Sequence, residues 1–139
     1  MNSVERAVSQ FTQGCNCAQA VLAAYAPHFG LEPEIALRLA APFGGGMARM
    51  GETCGAVTGA FLVIGLQDGE AKEETYQIVR EFVRRFAARH GSIRCRELLG
   101  CDLSTPEGLQ RAREQGLFST RCRGFVRDSA EIVSELLFP

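Results

Sequence analysis

Apolar residues along this chain recur at intervals of three and four, and no stretch alternates convincingly at two. The clearest case is Lys72–His90, where Tyr76, Val79, Phe82, Val83 and Phe86 fall on one helical face and Gly91 supplies a stop. Similar reasoning predicts a helix over Ser3–Thr12, with Ser3 as its N-cap and Gly14 beyond its end. A second runs from about Asn16 to Tyr25 and stops near Pro27 and Gly30. Pro33 suits the first turn of a third, because the missing N–H has no helical partner there, and that helix ends before Pro42. A glycine-rich stretch, Phe43–Gly51, precedes a fourth helix from about Cys54 to Leu66 that Asp68 and Gly69 close. A short helix covers Cys95–Leu99 and stops at Gly100. Thr105-Pro106-Glu107 opens another, which Gly116 ends, and the last runs from about Arg121 to Leu137. Short loops and the lack of a period-two segment predict an all-α fold. It is a single-domain helical bundle of about six to eight helices.

Composition narrows the class without naming a function. The chain has 139 residues, 46% of them apolar, enough for one core without disulfide staples. A net charge of −1 gives no electrostatic pull toward nucleic acid or an anionic membrane. Met1–Phe11 carries Glu5 and Arg6 and reads as neither signal peptide nor membrane span. The longest apolar run, around Ala60–Leu66, is too short to cross a bilayer. A cytoplasmic location and no membrane insertion are therefore expected. In that reducing setting, cysteines more often serve chemistry or metals than structural disulfides.

Six cysteines are more than packing ordinarily supplies in a chain this size. Four of them, Cys17, Cys54, Cys95 and Cys122, each head an apolar stripe at a predicted helix start. Cys17 aligns with Val21, Ala24 and His28; Cys54 with Val57, Thr58, Phe61 and Leu62. Cys95 aligns with Leu98 and Leu99, and Cys122 with Phe125, Ser129, Ile132 and Leu136. Burial alone explains any one such thiol, since free cysteine packs as a small hydrophobe. It does not explain four at helix starts, where unpaired N–H groups and the macrodipole favour thiolate. The set points to one thiol site, used for redox chemistry or for a metal.

These residues sit in recognisable text. Gly14-Cys15-Asn16-Cys17-Ala18-Gln19-Ala20-Val21 is followed by Gly44-Gly45-Gly46-Met47 and Gly51-Glu52-Thr53-Cys54-Gly55-Ala56-Val57-Thr58-Gly59-Ala60. Then come His90-Gly91-Ser92, Cys95-Arg96-Glu97-Leu98-Leu99-Gly100, and Cys122. Over nearly its whole length the chain resembles the C_GCAxxG_C_C family, whose four cysteines map onto Cys17, Cys54, Cys95 and Cys122. The resemblance implies redox activity and a genomic association with transporters; it names no substrate. Cys15 and Cys101 stand where the family often has an aromatic residue, and are expected to be passive replacements.

The remaining candidates are weaker. Gly44–Gly46 lacks the lysine and hydroxyl residue of a P-loop and follows no strand, so it reads as a tight loop passing close to the thiols. Gly55 and Gly59 each cost a helix on the order of 1 kcal/mol, which suggests another helix or a ligand very near Cys54. His28 lies about eleven helical residues, roughly 16 Å, from Cys17 and is not expected to share its site. His90 reads as a helix C-cap, and Arg94, Arg96, Arg121 and Arg123 as solvated neighbours of Cys95 and Cys122. Glu52 is a candidate proton acceptor or a helix-start anion. Two readings follow. In the first, the chain is a thiol–disulfide redox protein, a thiol-dependent oxidoreductase. Two of the four cysteines cycle, Cys54 attacks, no cofactor is required, and the partner is an unknown redox protein or small molecule. In the second, Cys17, Cys54, Cys95 and Cys122 bind zinc or an iron–sulfur cluster, although no tight knuckle supplies two ligands together.

Overall fold

A computed structural model describes residues 1–139. Eight helices make up the fold and there is no strand. They are α1 (Ser3–Thr12), α2 (Cys17–Tyr25), α3 (Pro33–Ala40), α4 (Gly55–Asp68), α5 (Lys72–His90), α6 (Cys95–Leu99), α7 (Pro106–Glu114) and α8 (Arg123–Leu137). The all-α expectation holds, and most boundaries fall where the periodicity put them. Two starts differ. Asn2, not Ser3, caps α1, its side chain accepting a hydrogen bond from the Glu5 amide at 2.8 Å. The last helix is entered through a π-helical turn, Phe118–Cys122, so Cys122 already has helical backbone angles and does not stand at a free N-terminus.

Helices α2, α4 and α8 form the centre. Ala18, Val21 and Leu22 of α2 and Val57, Ala60 and Ile64 of α4 are buried, as are Val126, Ile132 and Val133 of α8. The close approach of α2 and α4 depends on small residues. A Cβ at Gly59 would lie 2.8 Å from the Ala18 carbonyl oxygen, and one at Gly55 would lie 3.2 Å from the Cβ of Cys17. The helix that the glycines of α4 implied is therefore α2. Buried polar groups in this centre are paired: the Ser129 hydroxyl donates to the Ala56 carbonyl at 2.6 Å. Helix α5 covers one flank with Phe82 and Phe86 inward. Arg85 and Arg89 on α5 tie it to Glu131 and Glu135 on α8 at 2.9 to 3.3 Å.

The glycine-rich segment takes a form that periodicity does not foresee. Gly44–Met47 makes a single helical turn, but Gly45, Gly46, Met47, Ala48 and Arg49 all have positive φ, between 54° and 68°. This is one turn of left-handed helix. Left-handed geometry costs a non-glycine residue roughly 1–2 kcal/mol. The turn still satisfies its backbone: the Arg49 amide donates to Gly44 and the Glu52 amide to Gly46, at 3.1 and 2.9 Å. No helix is long and apolar enough to cross a membrane.

Candidate functional site: a thiol-lined cavity

The N-terminal end of α2, the left-handed turn, the starts of α4 and α6, and the π turn surround one cavity of about 860 Å³. All four cysteines selected from the sequence line it, and so does Cys15. Cys101 does not. All six are free thiols.

Each sulfur is held by a local device. Cys17 is the first residue of α2, whose start is fixed by a capping box: Asn16 accepts from the Gln19 amide while Gln19 accepts from the Asn16 amide, both at 2.9 Å. Cys54 is the N-cap of α4, and Cys95 the first residue of α6. Those two starts are bound to each other. Thr53 and Arg94 form an isolated antiparallel bridge, flanked by hydrogen bonds from the Cys54 amide to Ile93 at 2.7 Å and from the Cys95 amide to Glu52 at 2.6 Å. Alternation across the bridge puts Cys54 and Cys95 on the same side of it. Gly46 packs against Cys95. A Cβ there would lie 2.5 Å from the Cβ of Cys95 and 2.8 Å from the Glu52 nitrogen, so the left-handed turn brings bare backbone against this residue.

The electrostatics differ sharply among the four. Burial pushes the Cys54 thiol up to about 12; the Ala56 and Val57 amides pull the other way and do not win. Its place at a helix start therefore does not make it the most thiolate-like of the set, because desolvation outweighs the helix end. Burial likewise raises Cys95 to about 12, with Cys122 adding to the rise and Arg96 opposing it. Cys17 and Cys122 act on each other. The interaction between the two side chains is the leading cause that raises Cys17 and lowers Cys122, and burial adds to the first and opposes the second. The interaction between the two thiols thus favours ionisation of Cys122 over Cys17.

The flanking charges keep mostly to the surface. Glu52 lies 3.5 Å from both Arg94 and Arg96 and does not line the cavity, so it is not placed to take a thiol proton. Arg96 also donates to the carbonyls of Met50 and Gly51 and so braces the loop behind Cys95. Arg121 donates to the Leu98 carbonyl at 3.0 Å, tying the π turn to α6. Arg123 does line the cavity. His90 closes α5 as expected, with Nε2 2.8 Å from Asp128 and its ring against Phe86 and Phe125. His28 stands apart in a 3₁₀ turn, its ring tilted against Phe138. Sequence reasoning missed Arg49, Arg113 and the apolar wall formed by Leu103, Leu109 and Phe118. They come from separate segments, and no spacing joins them.

The family described as "Putative redox-active protein (C_GCAxxG_C_C)" matches residues 15–136. The chain belongs to this family. The match spans all four cysteines of the C_GCAxxG_C_C pattern, and they are the four that share the cavity. Neither curated proteins nor solved structures give a match. The metal reading lacks a ligand set: no three His, Cys, Asp or Glu side chains converge closely enough to hold an ion.

Proposed function

We propose that this protein is a thiol-dependent oxidoreductase in which Cys122 and Cys17 are the exchanging pair. The observation that carries the reading is that both thiols line one cavity and act on each other there, with Cys122 lowered and Cys17 raised. A nucleophilic thiolate beside a protonated resolving thiol is the arrangement that exchange requires. The Cys122 thiolate attacks one sulfur of a small-molecule disulfide, forming a mixed disulfide and expelling the other sulfur as a thiolate. Cys17 gives up its proton to that leaving thiolate and attacks the Cys122 sulfur, releasing the second thiolate, which takes a proton from water. The protein dithiol becomes a Cys17–Cys122 disulfide and the substrate is reduced to two thiols. The proton missing from the Cys122 thiolate at the outset balances the one drawn from water. Cys54 and Cys95, held protonated by burial, form the slower second dithiol of the site.

The test is titration of the reduced protein with hydroxyethyl disulfide, followed by peptide mapping. A Cys17–Cys122 link is expected as the first product, and Cys17→Ser is expected to stop at the mixed disulfide on Cys122. A first disulfide between any other pair, or no loss of thiols, would overturn the assignment.

A further inference from the structure

The cavity has a second property that the thiol chemistry does not use. Its lining includes three arginines, Arg49, Arg113 and Arg123, and no carboxylate. They come from the left-handed turn, α7 and the first residue of α8. All three are exposed, at the rim, and none pairs with an acidic side chain. None donates a side-chain hydrogen bond either; Arg38, Arg80, Arg111 and Arg127 are unpaired too, but they do not line the cavity, so what sets the three apart is their convergence on one opening.

The absence of a carboxylate from the cavity lining is informative because carboxylates are not scarce. The chain carries 16 acidic and 15 basic residues. Three uncompensated cations around one opening raise the local potential and repel one another, a cost that an entering anion relieves. Arginine suits this role, since its planar fork grips a carboxylate through paired hydrogen bonds. Inside the rim the wall is apolar: Leu98, Leu99, Leu103, Phe118 and Phe125 accompany the thiols. A volume of about 860 Å³ is in the range of sites that enclose a drug-sized molecule.

We infer that the cavity binds an organic carboxylate with an apolar body, its charged end on Arg49, Arg113 and Arg123 and its body against the leucine and phenylalanine wall. The binding stands on charge and shape alone. Only its consequence rests on the redox reading: the body lies beside Cys122 and Cys17, so a disulfide carried within such a molecule comes to the exchanging pair.

The probe is 1-pyrenebutyrate, with 1-pyrenebutanol as its neutral counterpart, titrated into the reduced full-length protein. The chain has no tryptophan, which leaves the pyrene emission clear. Saturable binding of the acid is expected, about tenfold or more tighter than that of the alcohol. The exposed triple variant Arg49→Gln/Arg113→Gln/Arg123→Gln should lose about that factor for the acid and leave the alcohol within about twofold. Bound acid should slow iodoacetamide labelling of Cys122. Equal binding of acid and alcohol, no effect of the triple variant, or binding that leaves Cys122 labelling unchanged would each overturn the inference. Cys17→Ser/Cys122→Ser keeps the two ideas separate. It removes the exchange chemistry and is expected to bind the acid as the wild type does; loss of binding in this variant would count against the site, whereas failed exchange in the wild type with binding intact would count only against the redox assignment.

Discussion

Cys17 and Tyr25 stand at opposite ends of α2, and their surroundings differ in kind. The Tyr25 hydroxyl is buried, donates to the Ala130 carbonyl at 2.7 Å and lies 2.5 Å from the Ser134 hydroxyl. Nearby, Ser129 is paired with Ala56. At the Cys17 end, Cys54, Cys95 and Cys122 are buried against a cavity, burial is the main influence on Cys54 and Cys95, and the rim arginines Arg49, Arg113 and Arg123 have no acidic partner. A scaffold removes the penalty of burying polar groups by pairing each one. The thiol end keeps polar groups unpaired and backbone strained, as binding and reacting regions do. The comparison teaches that α2 serves two purposes, holding the core by one end and presenting a nucleophile's partner by the other.

The hardest test of that division is at the left-handed turn. Gly46→Ala places a Cβ against Cys95 and the Glu52 nitrogen at a residue with φ of 68°. A loss of about 3 kcal/mol or more is expected in chemical denaturation, with changed alkylation rates at Cys95 in whatever folded protein remains. Unaltered stability would mean the turn is not the rigid wall described.

Alkaline titration separates the ends next. Cys54 and Cys95 are raised from 9.0 to about 12 in the folded protein. Because the folded values lie above the unfolded ones, the stability they contribute is complete below about pH 9 and is lost as pH climbs toward 12. The expected slope is up to about 1.4 kcal/mol per pH unit for each thiol. Urea denaturation of the reduced protein across this range should show the decline, and Cys54→Ala/Cys95→Ala should flatten it. An equally steep decline in the variant would place the titrating groups elsewhere.

Tyr25→Phe sharpens the contrast from the scaffold side. It leaves the Ala130 carbonyl and the Ser134 hydroxyl without their phenol, and a cost of about 1–3 kcal/mol is expected. Cys122 labelling in the folded state should not change; a change would show that the two ends of α2 are coupled. The smallest effect is expected at Gly65, which sits in α4 with nothing near the position of an added Cβ. Gly65→Ala should stabilise the protein by about 0.5–1 kcal/mol, in contrast to the closely packed Gly59 on the same helix.

The fold class, the helix spans and the four cysteines were legible in the sequence because they depend on local order: apolar spacing, glycine and proline stops, and thiols at the heads of stripes. The glycines of α4 also announced a close neighbour correctly. The left-handed turn was not legible, since Met47, Ala48 and Arg49 carry no preference for positive φ and adopt it only because the segment is held between α2, α4 and α6. The divergence of Cys15 and Cys101 was hidden too. Both were expected to be passive, but only Cys15 reaches the cavity, because Cys101 follows the Gly100 break and is buried in the core.

What the sequence determined by itself was the set of thiols and the helices that carry them, since chemistry and periodicity are properties of residues and their near neighbours. Tertiary structure alone set how the four thiols differ in their surroundings. A helix start favours thiolate at Cys17, Cys54 and Cys95 but not at Cys122, yet depth raised Cys54 and Cys95, and the interaction between residues 17 and 122 raised the first and lowered the second. Desolvation and through-space interaction depend on what the folded chain brings alongside, and no local pattern encodes that.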